Sequence, residues 1–282
     1  MKIAALQVVA GPELGANLDA AARLLGEAAA AGAMLAVLPE YFCLIGQRDR
    51  DKLAIAEPPA TADDAQGGAQ GGGPIQRFLA EAARRHAMWI VGGTLPVLPP
   101  GEDAGDVQHV FNRCTVWSPA GRLAAAYDKI HLFAFEHGDE RYDEGRVLRA
   151  GSTPVALQAG PLRVGLSVCY DLRFPELYRA LMTPPCDLIA VPAAFTVPTG
   201  RAHWELLLRA RAVENQCYVV AAAQGGLHAT GRRTWGHSMI VDPWGEVLAE
   251  RAEGEGVVLA EVDAARLADI RKRLPALAHR RL

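Results

Sequence analysis

Apolar positions in this chain recur with two periods. Lys2 to Val9 is almost continuously apolar, as in a strand covered on both faces. Asn17 to Ala31 follows, rich in Ala and Leu at helical spacing, with Asn17 as its expected cap. Met34 to Leu38 is a second buried strand, stopped by Pro39. The helix-then-strand rhythm returns at Pro74 to His86 and Met88 to Gly92. Phe111 to Trp117 and Arg122 to Tyr127 flank the turn signal Ser118-Pro119-Ala120-Gly121 and read as a hairpin. Val164 to Val168 is a short buried strand that runs into a polar, proline-containing exit.

Further on come a strand at Leu188 to Pro192, an amphipathic helix at His203 to Asn215 and a strand at Cys217 to Ala223. In that helix Arg209, Arg211 and Glu214 are spaced for local ion pairs. Gly236 to Val241 and Glu246 to Ala249 form a hairpin about Asp242-Pro243-Trp244-Gly245, Val257 to Val262 is a last strand, and a short helix from Ala264 ends near Pro275. Alternating helices and strands with added hairpins define an α/β protein with a mixed sheet. The strands are too many for one open sheet, and two sheets packed together with helices outside would hold them.

Composition narrows the function. With 282 residues, 50% hydrophobic and 22% charged, the chain can bury a large core, read here as one domain over 1–282. A net charge of −3 argues against nucleic acid or membrane as the main partner and leaves a small molecule as the default. The basic stretch Arg271 to Arg281 reads as a solvated end or a dimer contact. Five cysteines without paired spacing give neither a disulfide framework nor a CxxC site, which suits the reducing cytoplasm. Met1 to Ala10 is too short an apolar run for a signal sequence, and no stretch is long enough to span a bilayer. Gln66 to Gly73 (QGGAQGGG) reads as a flexible surface loop without the residues of a phosphate motif. His131 and His137 stand too far from further ligands to suggest a metal, and His86 reads as a solvated helix end.

The chain has no Gly-x-Ser-x-Gly elbow, no HExxH and no dinucleotide fingerprint. It does have polar residues at or near strand ends: Glu40 beside Tyr41-Phe42, Lys129 between an aromatic and an apolar neighbour, Glu144 in the polar loop Arg141 to Gly151, and Cys169. Together they suit one task. A thiol needs a base to become a nucleophile, and a carboxylate can take its proton and return it to a departing amine. Lys129 and the backbone N–H of Tyr170 would offset oxyanion charge, at about 3 kcal/mol per donor. Taken singly, each has a plainer reading: a solvated glutamate, a snorkelling lysine, a cysteine serving as a small core hydrophobe.

The segments LPEYF around Glu40, YDKIHLF around Lys129 and CYDLRFPE around Cys169 resemble the Glu-Lys-Cys signatures of the nitrilase superfamily of carbon-nitrogen hydrolases. The resemblance extends over PAAFTVPTG, the WELLLRARAVENQCYVVAA helix and strand, and GHSMIVDPWGEV. It implies a four-layer α-β-β-α sandwich that forms a homodimer or a higher homo-oligomer through its outer helices. It also implies Glu40 as general base, Lys129 as oxyanion stabiliser, Cys169 as nucleophile and Glu144, in YDEG, as the second glutamate that orients substrate and lysine, with no metal or cofactor. Tyr170-Asp171 after the cysteine, where true nitrilases carry Trp-Glu, is similar to the amidase branch acting on deaminated glutathione or on 2-oxoglutaramate. RRTWGHSMIVDPWGEV and RKRLPALAHRR favour the former. The expectation is a small-amide hydrolase working through a Cys thioester, with an omega-amidase or a catalytically idle interaction protein as the alternatives. Arg173 is the expected grip on a substrate carboxylate, weighed against an ion pair with Glu176, and Phe195 and Thr199 are expected on the pocket wall.

Overall fold

Burial sorts the first strand, Lys2–Gln7, by parity. Ile3 and Ala5 pack into a core with Leu35, Val37 and Val116 on one side and Val164, Leu166 and Val191 on the other. Ala4 and Leu6 point the opposite way, into a core with Leu24, Leu25 and Leu79. A strand with two apolar faces needs a cover on each, and the two covers differ. One is a second sheet. The other is a helical layer made of α1 (Leu14–Ala30) and α2 (Pro74–His86).

The computed structural model describes residues 1–61, 72–103, 105, 107–137 and 140–281. The first sheet runs in the order Gly256–Glu261, Lys2–Gln7, Leu35–Val37, Trp89–Val91, Val110–Trp117, Leu95–Val97, with Leu123–Asp128 and Leu148–Arg149 also paired to Val110–Trp117. The second runs Ala156–Ala159, Leu162–Leu166, Leu188–Ala193, Tyr218–Ala223, Ser238–Val241, Val247–Arg251. Its outer face is covered by α3 (Pro175–Ala180) and α4 (Val197–Asn215), with Trp204, Leu208 and Ala212 of α4 in the core. Helices, sheet, sheet and helices make the four-layer sandwich. The central strands of both sheets are parallel. Residues following the carboxyl ends of parallel strands are where such folds place ligand chemistry.

Four readings of the sequence change. Asn17 is not a cap: α1 begins at Leu14, and Asn17 is buried inside it, bonded to Gly11 and to the Cys43 carbonyl. Its side chain ties the loop after the first strand to the loop after the second. Helix α4 starts at Val197 rather than His203, because Pro198 sits in the first turn, where a missing N–H costs nothing. Arg141 to Asp143, expected in a loop, belong to the hairpin Ala134–His137 and Glu140–Asp143. Arg271 is not part of a solvated end, since its guanidinium bonds the carbonyls of Cys186 and Gln216 within the chain. The ion pair Arg211–Glu214 forms at 2.8 Å, whereas Arg209 bonds Glu205 and the Gly245 carbonyl. Most of the Gln66 to Gly73 stretch lies outside the described residues. Among those described, no helix is long and apolar enough to cross a membrane.

Candidate active site

Cys169 follows the strand Leu162–Leu166 and opens a short 3-10 turn, Cys169–Arg173, with φ at +48°. A left-handed non-glycine residue is strained and needs support. Asp171 supplies it. Its fully buried carboxylate accepts the Val168 N–H at 2.8 Å, the Tyr127 hydroxyl at 2.6 Å and the His131 N–H at 3.0 Å, and contacts His131 Nδ1 at 2.7 Å. Tyr127 and His131 flank Lys129, so one carboxylate joins the Cys169 turn on the second sheet to the lysine's segment on the first. His131 is accounted for by this contact and by stacking on Phe174 at 3.6 Å. His137 falls in the strand Ala134–His137.

Glu40 follows the strand Leu35–Val37. The adjoining Tyr41 is also left-handed, φ +55°, and its N–H is held by Thr94 Oγ1 at 3.0 Å. Gly93 permits this approach, because a Cβ there would lie 2.2 Å from the Pro39 carbonyl oxygen. Lys129 is positioned likewise: Gly151 packs so closely that a Cβ would meet Asp128 O at 2.2 Å, and its N–H bonds the Lys129 carbonyl at 2.8 Å.

The side chains then meet. Lys129 Nζ, with no exposed surface, lies 2.9 Å from Glu40 Oε1 and 2.7 Å from Glu144 Oε2. Glu40 Oε1 also accepts from Asn112 Nδ2 at 2.8 Å. Glu144 accepts from the Tyr41 hydroxyl at 2.8 Å and the Phe133 N–H at 2.7 Å. The Cys169 thiol lies beside the Glu40 carboxylate and the Ala194 backbone, near enough for each to act on its neighbour's proton affinity. The four titratable residues expected from the sequence are therefore brought together from both sheets, Lys129 bonded to both glutamates and Cys169 beside Glu40.

Its protonation follows from burial. Desolvation raises the Glu40 pKa, and Lys129 opposes this without cancelling it. For Glu144 desolvation also pushes upward, but Lys129, with the bonds from Lys129 and Phe133, wins, so its pKa is lowered. Desolvation would strip the Lys129 proton, yet Glu144 and Glu40 outweigh it and hold the amine charged. Burial and Glu40 push the Cys169 thiol up. The resting site is thus a neutral thiol beside a carboxyl group of heightened basicity, with a fixed positive charge next to both.

Above Cys169 is a narrow slot of about 10 Å³ lined by Phe133, Tyr170, Phe195 and Thr199. Arg173 lines it too, its guanidinium over the rings of Tyr170 and Phe195 at 5.8 and 5.5 Å. It lies 3.2 Å from His203 Nδ1 and makes no ion pair with Glu176. Tyr170 stands in the first turn of its 3-10 segment, where backbone N–H groups have no partner within the helix. Through Thr196 the slot adjoins an open cleft of about 740 Å³.

Asn112, Asp171 and the bond from Tyr41 to Glu144 went unread in the sequence. Asn112 did leave a signal, as a polar residue inside the apolar strand Val110–Trp117.

A four-layer sandwich with a buried Cys-Glu-Lys unit defines a carbon-nitrogen hydrolase. The sequence profile of the carbon-nitrogen hydrolase family matches residues 2–272, and the chain belongs to that family. It is 41% identical over 280 residues to a deaminated glutathione amidase of Synechocystis sp., covering 98% of this chain and 97% of that one. It is 39% identical to the human deaminated glutathione amidase, over 99% of this chain and 82% of the relative. The crystal structure of Saccharomyces cerevisiae Nit3, a member of branch 10 of the nitrilase superfamily, superposes with a TM-score of 0.86 at 28% identity, covering 100% of this chain and 97% of that one.

Proposed function

We propose that this enzyme hydrolyses the amide of deaminated glutathione, releasing 2-oxoglutarate and cysteinylglycine. The observation that carries the amidase chemistry is buried Lys129 bonded to both Glu40 and Glu144, with Cys169 beside Glu40 at the slot. Glu40 takes the thiol proton as sulfur bonds to the carbonyl carbon. Lys129 Nζ and the Tyr170 N–H receive the oxyanion, each donor lowering the barrier by about 3 kcal/mol. The C–N bond breaks as Glu40 returns the proton to nitrogen, and the amine leaves. Water then adds to the thioester, giving its proton to Glu40. The C–S bond breaks and the proton passes back to sulfur, restoring the starting state. Glu144 keeps Lys129 charged and aimed.

The substrate rests on the relatives at about 40% identity, whose names carry deaminated glutathione. Arg173 offers a bidentate grip to the 2-oxo acid carboxylate. A slot of about 10 Å³ holds little beyond one water, so the acyl chain enters as Arg173 turns away from Phe195. The tightness of the slot favours a second reading, 2-oxoglutaramate with ammonia as the leaving group; the neighbouring cleft favours the longer substrate. Leu206 and Val213, seven residues apart on α4 and exposed with Trp244, support a homodimer through the outer helices. All five cysteines are free and buried, which suits a reducing cytoplasm.

The test is steady-state turnover of the two amides, with Cys169→Ala as blank. A kcat/KM at least tenfold higher for deaminated glutathione, about 1.4 kcal/mol in transition-state binding, is expected. No turnover of either amide, with Cys169 still open to alkylation, removes the substrate assignment and leaves the nucleophile.

A further inference from the structure

The 740 Å³ cleft next to the slot carries four arginines, Arg48, Arg141, Arg232 and Arg233, against one carboxylate, Asp49. Three of the arginines are engaged: Arg48 with Asp51 at 3.4 Å, Arg141 with Glu136 at 2.8 Å, and Arg233 with Glu253 at 3.3 Å. Arg232 differs. Its Nε is buried with no hydrogen-bond partner among the described residues, and its guanidinium lies over the Tyr142 ring at 5.3 Å. The Thr230 hydroxyl, two residues away on the same cleft wall, is also buried and without a partner among the described residues. Buried donors are nearly always satisfied, and two orphans on one wall point to an acceptor that comes from outside.

The wall is built and not a loose loop. Thr230 and Arg232 lie in the turn joining Gly225–Leu227 to Arg233–Trp235. His228 anchors that turn from beneath, reaching the Ala10 carbonyl and Thr234 Oγ1 at 2.8 Å each. The second strand is hydrogen-bonded to the wall of the slot, the Trp235 N–H donating to Phe195 O at 2.9 Å, with a bridge from Thr234 to Thr196. The cleft cation is thereby fixed relative to the nucleophile.

We propose that Arg232 and Thr230 form a carboxylate subsite for the leaving amine. The proposal rests on the amidase reading above and deepens it: the substrates favoured are amides with a carboxylate at each end. One end meets Arg173 beside the slot and the other meets Arg232 in the cleft. Deaminated glutathione has this form, its glycine carboxylate lying beyond the scissile bond, and 2-oxoglutaramate lacks the second carboxylate. A guanidinium stacked on a ring keeps its edge free to grip a carboxylate with paired N–H donors.

The experiment compares deaminated glutathione, its analogue with the glycine carboxylate amidated, and 2-oxoglutaramate, using the full chain and Arg232→Gln. Expected results are that amidation lowers wild-type kcat/KM tenfold or more, chiefly through KM, and that Arg232→Gln lowers the ratio of kcat/KM for deaminated glutathione over 2-oxoglutaramate by a similar factor. The variant should no longer distinguish the amidated analogue from its parent. Equal wild-type turnover of parent and amidated analogue overturns the subsite while leaving the amidase reading intact, and this comparison does not depend on the variant folding. A wild type inert toward deaminated glutathione overturns the reading and the subsite with it.

Discussion

A carboxylate out of water is a stronger base than one in solvent, and Glu40 is moved in that direction without being neutralised outright. Burial raises its pKa from the ordinary 4.5, while Lys129, 2.9 Å away, resists. Asn112 supplies a further fixed donor at 2.8 Å, and its own Oδ1 is buried without a partner among the described residues, so the side-chain bond it does make is the one that orients Glu40. The sign of the pH dependence follows. As the proposed base, Glu40 must be unprotonated to accept the thiol proton, so activity is present above its pKa and is lost as pH falls through it. Because that pKa is raised, the acidic limb of kcat/KM should have its midpoint above 4.5, in a profile taken from about pH 4 to 9. Glu144 cannot supply that limb, since its pKa is lowered. Lys129 does not bring an early alkaline limb, because its pKa is raised. A midpoint at or below 4.5 would exclude Glu40 as the base.

The element that carries the proposed nucleophile is one 3-10 turn, and it is clasped more than packed. Asp171 holds the turn to the segment around Lys129, and Arg211 donates to the Leu172 carbonyl from Nε at 3.1 Å and Nη2 at 2.8 Å. Asp171→Asn turns one accepting edge into a donor facing donors. Loss of such a buried charged acceptor costs on the order of 3 kcal/mol, which lowers Tm by roughly 6–12 °C in a protein of this size. Calorimetry reads that change, and alkylation of Cys169 should slow with it as the +48° geometry relaxes. An unchanged Tm would refute the clasp. Much at this scale was legible in the sequence: apolar runs broken by Pro39 and by the Pro-containing exit after Cys169 located the strand ends that hold the chemistry. What escaped depended on partners far away in the chain. Asn112 meets Glu40 across 72 residues and Tyr41 meets Glu144 across 103, separations at which no periodicity speaks. Asn17 escaped for another reason, because a cap and a buried loop anchor call for the same residue type and local sequence cannot separate them.

For the whole molecule, net charge and local charge point in opposite directions. A net charge of −3 would repel an anionic amide, and salt would then speed its binding. The arginine-rich cleft attracts the same substrate, and salt weakens that attraction as the Debye length shrinks from about 10 Å at 0.1 M toward 3 Å at 1 M. The cleft is the nearer field. Thus kcat/KM for deaminated glutathione should fall severalfold as sodium chloride is raised, with KM carrying the change; a rise would show that net charge prevails. The sandwich also has a seam at its chain ends. Lys2–Gln7 takes Gly256–Glu261 as its outer neighbour, and the Met1 amine bonds the Val262 carbonyl at 2.9 Å across 261 residues. On the ribosome, Lys2–Gln7 therefore emerges long before the strand that covers that flank. Its inner flank can pair early with Leu35–Val37, but the outer row of N–H and C=O groups stays open through most of synthesis. Premature termination shortly before Gly256 would leave the catalytic residues in place on a protein with a permanently bare sheet margin. Such a product meets its neighbours as a template for strand addition before it meets them as an enzyme.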